Sequence, residues 1–445
     1  MSTSRRSRIS IRWWELTYRV GPNLWVAPVV MSAVAIGLFA VTRRLDRVWP
    51  SAESSVPEFL ITRSPADAAL ILSALVSAVA TALALVFSTS ILTFSLASTQ
   101  LGPRLIRRFM RDPVTQVTLG AFLSTLIFCV LTLATVRTGS PDGVPAVSVS
   151  TSILAALSCF GLLVYYVHRV ASTIQAPNVV ASVVGQLSTG LAELGDYLPE
   201  VPRCADAAEV EELRVSARDR GRAIPSPVTG YVDLLDHPRL LSVADAAGAV
   251  LVLQRRPGQF VVTGQCMAYV LPADAPESID RVIADAIEIG PARTLRQDLE
   301  FAIAQVVEIA IRALSPAVND TYTGLTCVDW LGDALVKLGS EPADTGGWSN
   351  DANQVRLVVP ALHFDRLLKG AFDLIRQAGA DSPAVLIRIL DAIGTMAPMA
   401  RPEHRDALRS HADLVIETAR VNGLVSGDLA DVDERYLRAL RAFGE

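Results

Sequence analysis

Four long apolar runs dominate the first part of the chain. They lie near residues 23–42, 68–99, 114–136 and 148–167. None of them contains a charged side chain, and a helix needs roughly 20 apolar residues to cross the hydrocarbon core of a bilayer. The pattern therefore predicts an α-helical integral membrane protein with four transmembrane helices, in which a short N-terminal segment, 1–22, precedes a transmembrane domain at 23–169.

Small and hydroxylated residues recur at helical spacing along the second run. They are Ser73, Ser77, Thr81, Ala84, Ser88, Ser95 and Thr99. Because residues at this spacing share one face of a helix, we expect that face to touch something other than lipid. Two interpretations stay open: the hydroxylated residues line a column of water, or they pack against another helix.

The charges between the runs predict an orientation in the membrane. Five arginines precede the first run, four lie between the second and third, and only Arg137, balanced by Asp142, separates the third from the fourth. By the positive-inside tendency, the N-terminus, the turn at 101–113 and everything after Arg169 are cytoplasmic. Arginine supplies 38 of the 40 basic residues, which is typical of a high-GC bacterium. The predicted location is thus a bacterial cytoplasmic (inner) membrane, with both termini inside.

The four arginines of the second turn are themselves candidate functional residues. They are Arg104, Arg107, Arg108 and Arg111, at positions i, i+3, i+4 and i+7 of a helical turn. Such a turn would point all four one way and could bind anionic lipid headgroups. The simpler interpretation is topogenic charge alone. In a ring of subunits, the same arginines would line a cytoplasmic mouth.

Charge and cysteine usage restrict the partners of the second half. Residues 1–169 carry 15 arginines and 7 acidic residues, whereas residues 170–445 carry 25 basic and 38 acidic residues. An acidic domain would repel phosphates, so nucleic acid is not an expected partner. The five cysteines are scattered without any Cys-x-x-Cys pair. We expect no disulfide framework, no metal site and no cofactor.

Residues 170–273 change from helical to strand-like patterning. A connecting helix and a polar linker are predicted at 170–222, and short β-rich runs divided by Gly and Pro at 223–273 predict a small β-sandwich or barrel. This module resembles the barrel-sandwich half-domains of biotinyl and lipoyl carriers and of membrane-fusion adaptors, through Pro227-Val-Thr-Gly-Tyr-Val232 and Pro257-Gly-Gln-Phe-Val-Val-Thr-Gly264. The carriers modify a hairpin lysine, and the module contains none. A structural role is therefore the better interpretation.

The remaining residues, 274–445, are predicted to form a helical cytoplasmic domain. Helical patterns cover 279–289 and 296–313, and four more helices follow from Phe364 onward. A polar seam is predicted opposite the apolar side of the 296–313 helix and just beyond its end: Asp298, Gln305, Glu308, Arg312, Asn319 and Asp320. It is either a ligand site or a charge-paired packing seam. Asp320 is also a plausible N-cap. His404 and His411 are predicted on a solvated helix face.

The string from Arg296 to Asp320, together with the Ser98-Thr-Gln-Leu-Gly-Pro-Arg104 turn and the Gly230-Tyr-Val232 module, resembles the bacterial predicted-membrane-protein family called domain of unknown function 2254. The resemblance covers nearly the whole chain. It implies four spans and a cytoplasmic domain but no reaction. That family usually continues with Asn-Asp-Pro, whereas Thr321 replaces the proline here, which affects only the local turn.

The sequence contains no nucleotide-binding loop, metalloprotease motif or serine-hydrolase motif, so we expect no enzyme. The functional prediction therefore rests on the four apolar runs. The first hypothesis is a channel-like homo-oligomer in which the second helix lines an ion path and the cytoplasmic domains form a collar. The alternative is a membrane-anchored sensing or interaction module without transport activity. Membrane lipids, ions and further copies of the chain are the expected partners.

Overall fold

The computed structural model describes residues 25–48, 65–101, 112–137, 144–173 and 206–444. Contacts divide the chain into two units, residues 1–175 and 176–445. We call them the membrane unit and the C-terminal unit and describe each by itself.

Four long helices form the membrane unit. They are α1 (Val26–Val48), α2 (Pro65–Leu101), α3 (Pro113–Arg137) and α4 (Ala146–Thr173). Each is long and apolar enough to cross a membrane, so the four predicted spans are confirmed. Their helical form follows from their setting, since only intrahelical hydrogen bonds satisfy backbone groups in hydrocarbon.

Helix α3 is the central helix of the membrane unit and packs against α1, α2 and α4. Its Phe122 is fully buried in a cluster with Val79 and Val86 of α2 and Tyr166 of α4. Gly120 brings α1 close, because a Cβ there would lie 2.5 Å from the sulfur of Met31. Small residues of this kind let two backbones approach where no hydrophobic force drives association.

Polar contacts also join the spans, and two of them involve Asp46 and Ser90. Asp46, near the end of α1, accepts hydrogen bonds from the Val147 amide (2.8 Å) and the Ser148 hydroxyl (2.6 Å) at the start of α4. Ser90 and Tyr166 share a buried hydrogen bond of 2.6 Å between α2 and α4. The Asp46 carboxylate therefore caps α4, and its negative charge interacts favourably with the positive end of that helix dipole.

The first part of the C-terminal unit mixes short helices with strands. In chain order they are α5 (Ala207–Arg220), β1 (Arg222–Pro225), β2 (Gly230–Leu235), α6 (His237–Ala246), β3 (Val250–Leu253), β4 (Phe260–Val261), β5 (Cys266–Leu271), α7 (Ser278–Asp285) and β6 (Ile287–Gly290). Helix α5 replaces part of the predicted linker. Asp206 caps α5 by accepting from the amides of Ala208 and Glu209. The polar composition of this segment indicated a linker, although an aspartate at this position also signals the start of a helix.

The second part is mainly helical. It contains α8 (Leu299–Ala313), α9 (Thr321–Ser340), β7 (Gly347–Ser349), β8 (Val355–Val358), α10 (Phe364–Ala378), α11 (Pro383–Met396), α12 (Pro402–Val421) and α13 (Ser426–Arg441). The last four helices confirm the prediction of four helices from Phe364 onward. The predicted helix over 279–289 is wrong at its end, because Ile287-Glu-Ile289 alternates with the period of a strand and pairs with β2.

Two sheets organise the β-strands. One has the order β1-β5-β3-β8-β7 and the other β4-β2-β6. Strand β3 pairs in parallel with β8 about 100 residues later, Leu251 opposite Leu357, so the sheet extends well beyond the predicted 223–273 module. Its core includes Leu251, Met267, Ile283 and Trp348. The predicted combination of membrane helices with an α+β region is confirmed.

The Asp46 cap generates a stability prediction. We expect Asp46→Ala to destabilise the membrane unit by about 1 to 2 kcal/mol, because it removes a charge-assisted cap and leaves the first amides of α4 without their acceptor. The temperature midpoint of unfolding in detergent should fall. Arg44→Ala, which removes an exposed charge from the same helix end, is the matched control. Equal midpoints for Asp46→Ala and wild type would contradict the capping role.

Candidate functional site

The hydroxylated face of α2 points away from the rest of the membrane unit. Ser77, Thr81, Ala84, Ser88 and Ser95 are exposed, and Ser73 is half-buried. The buried residues of the same helix, among those whose side chains the structure describes, are Ala68, Leu72, Val79, Ala82, Val86, Ser90 and Thr93. At 3.6 residues per turn, this buried set lies on the opposite side of the helix. The face therefore takes no part in packing within the described membrane unit.

The hydroxyl groups of this face are bonded along the helix itself. Ser73 donates to the Ala69 carbonyl (2.7 Å), Ser77 to the Ser73 carbonyl (3.0 Å) and Thr81 to the Ser77 carbonyl (2.8 Å). A serine hydroxyl has one donor and two acceptor lone pairs. Once the hydrogen is used by the helix, the oxygen still presents acceptor capacity to whatever lies outside.

Several predicted site residues fall outside the described part of the chain. They are Arg104, Arg107, Arg108 and Arg111 of the basic turn, and the side chain of Thr99 at the end of α2.

Asp298, the first residue of the predicted polar seam, caps α8 and does not lie on its face. Its carboxylate accepts from the Phe301 amide (3.0 Å) and from Nε and Nη2 of Arg293 (2.6 and 2.8 Å). It also lies against Gly258, which has φ +86° and where a Cβ would be 2.1 Å from the carboxylate. The close approach explains why this turn requires glycine.

The other seam residues do not gather around Asp298. Gln305 is buried in α8, whereas Glu308 and Arg312 are half-buried farther along the helix. Asn319 is exposed with φ 51°. Asp320 caps α9, accepting from the Thr323 amide (3.1 Å) and hydroxyl (2.6 Å), as predicted. Thr321 is then the first helical residue, a position where proline is favourable but not required.

A cavity of about 380 Å³ lies within the C-terminal unit. Its walls come from the start of α6, the turn after β3, the first residue of α8, the end of α9, the loop before β7 and the start of α10. Its principal side chains are His237, Arg256, Leu299, Lys337, Trp348, Leu362, Phe364 and His404. The sequence patterns missed this site because no spacing along the chain connects lining residues as far apart as His237, Leu299 and His404.

The predicted solvated histidines are wrong, because His404 and His411 are both buried. His404 stacks on Phe364, with ring centroids 4.7 Å apart, and its Nε2 lies 3.2 Å from the Glu341 carbonyl. Helix α12 packs against α10, α11 and α13. The missed signal is the spacing of His404, Leu408, His411 and Val415, which places the histidines on the apolar face.

His411 sits in a buried polar cluster between α10 and α12. Its Nδ1 lies 3.9 Å from Asp373, and Arg376 donates to the Thr418 hydroxyl (2.5 Å). Burial lowers the pKa of His411 to about 4, Asp373 raises that pKa in part, and Arg376 and Lys369 lower it further. The imidazole is therefore neutral near pH 7. No group of three metal-binding side chains occurs among the described residues.

Comparisons with known proteins give a family but no activity. The family described as "Predicted membrane protein (DUF2254)" matches residues 22–395. Uncharacterized proteins of Mycobacterium bovis and Mycobacterium tuberculosis are each 27% identical over 429 residues, an alignment that covers 94% of this chain and 80% of each relative. No solved structure matches the chain.

The His411 cluster predicts acid sensitivity. Between pH 6.5 and about 4 the unfolded state binds a proton that the folded state excludes, so stability rises with pH and is lost as pH falls through this window. From pH 7 to 5 we expect a loss on the order of 2 kcal/mol from this group. Thermal unfolding at both pH values should show a smaller difference for His411→Leu than for wild type. His363→Leu, at an exposed position, should behave like wild type, and an unchanged difference in His411→Leu would disprove the assignment.

Proposed function

Because the chain belongs to the predicted membrane protein family DUF2254, we propose a function performed in the membrane itself: a channel-like homo-oligomer in which α2 lines an ion path. The observation that carries the proposal is the exposed hydroxylated face of α2. It lies opposite the face that packs within the subunit. A second copy of the same face, related by a symmetry axis, would complete the surroundings of this helix.

The chemistry of the face supports a wet path. Hydroxyls that donate to their own helix leave oxygen lone pairs outward, and these can replace part of the hydration shell of a passing ion. No charged side chain lies on this face between Ser73 and Ser95. A coupled carrier would normally place an acidic or histidine side chain there, so passive conduction fits better than pumping.

A membrane-anchored sensing module is the second candidate. The observation that favours it is the cavity of the C-terminal unit, whose volume and aromatic lining suit a small molecule. In this role the spans only hold the unit at the membrane.

The proposed orientation places both termini in the cytoplasm of a bacterial inner membrane, on the strength of the loop charges. In a cysteine-free variant, a single cysteine at Asp142 should react with an impermeant maleimide in intact cells. A cysteine at Arg108 should react only after permeabilisation. The opposite pattern would invert the proposed orientation, and equal reaction at both positions would remove a span between them.

The channel proposal predicts separate effects on flux and assembly. Ser77→Leu and Ser88→Leu should each reduce ion flux into liposomes at least about tenfold while oligomer size in detergent stays unchanged, because a hydrophobic constriction closes a pore by dewetting. Leu85→Phe, an apolar change at an exposed leucine of the same helix, is the control and should keep both properties.

If the hydroxylated face packs against a neighbouring helix instead, the larger side chains should weaken assembly by about 1 to 3 kcal/mol of overpacking. Loss of the oligomer in Ser88→Leu would therefore show that the hydroxylated face is a packing interface and does not line a pore. Absence of flux through intact wild-type oligomers under varied ions, voltage and tension would reject the channel and leave the sensing module.

A further inference from the structure

The cavity of the C-terminal unit has the size and lining of a small-molecule site. Its volume of about 380 Å³ falls within the usual range for ligand pockets, and its walls are mostly apolar with a few polar groups. We propose that it binds a small aromatic carboxylate, with the ring against Trp348 and Phe364 and the carboxylate on Arg256. This site supplies a ligand class for the sensing module and stands whether or not the spans conduct.

Arg256 carries the argument for an anionic group. Its side chain is only 8% exposed, and its Nη2 lies 2.6 Å from Oε1 of Glu300. That nitrogen nevertheless makes no hydrogen bond of acceptable geometry with any described residue. The guanidinium is thus ion-paired to Glu300 but keeps donor capacity that no hydrogen bond of this nitrogen uses. A carboxylate in the cavity would supply the acceptor, in the geometry that guanidinium groups favour.

Glu300 does not hold Arg256 alone. Its Oε1 also accepts from Nε of Arg366, at 2.7 Å. When Arg256 turns to a ligand, the half-buried Glu300 keeps Arg366 as its cationic partner, so its carboxylate is not left unpaired. The ion pair can therefore exchange partners without the penalty that usually accompanies the opening of a buried pair.

The other charges around the cavity are compatible with an anion. Both oxygens of Asp344 are occupied, since they accept from the amides of Gly346 and Leu362 at 2.9 Å each. Glu341 and Lys337 also line the cavity, and both are exposed. A carboxylate entering the cavity thus meets a buried guanidinium and no uncommitted buried acid.

The aromatic lining argues for a flat apolar body. The ring of Trp348 lies 5.1 Å from that of His237, and the ring of Phe364 lies 4.7 Å from that of His404. All four side chains are buried and line the cavity. Planar walls stack best with a planar ligand.

The test uses the full chain in lipid nanodiscs, titrated calorimetrically with 2-naphthoate and, separately, with its neutral isostere 2-naphthamide. Empty nanodiscs are the blank for both. We expect one naphthoate site per chain and at least roughly tenfold weaker binding of the amide, because a hydrogen bond to a charged group is lost. No heat beyond the blank, or equal affinity for the two probes, would overturn the proposal.

Two variants locate the site. Ala343→Trp, at an exposed residue of the lining, should block the cavity and reduce naphthoate affinity at least about tenfold, because the indole occupies the space of the ligand. Ala352→Trp, in an exposed turn outside the lining, should bind like wild type. Arg256→Gln should lose the preference for naphthoate over naphthamide. If Arg256→Gln fails to fold, Ala343→Trp decides, and wild-type affinity in that variant would reject the site. If the wild-type chain conducts ions but does not bind naphthoate, the ligand site is rejected and the channel proposal is unaffected.

Discussion

A polar group inside a bilayer is costly unless it finds a hydrogen-bond partner within the protein, and the membrane unit is arranged around that constraint. The backbone satisfies it by forming four helices. The hydroxyls of Ser77 and Thr81 satisfy it by donating to carbonyls one turn back, and Ser90 does so through Tyr166. Once internally bonded, a hydroxylated face can be turned outward at little cost. The exposed stripe of α2 is thus a consequence of the same rule that makes the spans helical.

The C-terminal unit solves a different problem, because water satisfies its surface and only its interior polar groups need partners. Its sheets are assembled from distant segments, as when β3 pairs with β8, and its helices cover the histidines of α12. As a result, the walls of the cavity in the C-terminal unit come from many elements. A binding site of that kind depends on tertiary packing, whereas the face of α2 depends on one helix alone.

This difference explains which features the sequence could predict. The spans and the stripe on α2 follow from local composition and helical spacing, and the Asp320 cap follows from the residues beside it. The extent of the sheet could not be predicted, because nothing near Leu251 indicates a partner at Leu357. The predicted helix over 279–289 is wrong at its end, because a short alternating run such as Ile287-Glu-Ile289 becomes a strand only through its pairing with β2. His411 is buried because the apolar spacing of Leu408, His411 and Val415 places it on the packed face of α12.

Helix capping connects the local rules to the cavity. Aspartates cap α5, α6, α8 and α9. Besides capping α8, the carboxylate of Asp298 accepts a hydrogen bond from Arg293 and lies directly against Gly258. That glycine belongs to the turn that begins with Arg256, whose amide is 3.2 Å from the Gln259 side chain. A residue predicted as part of a helix face thus fixes the turn that carries the guanidinium of the cavity.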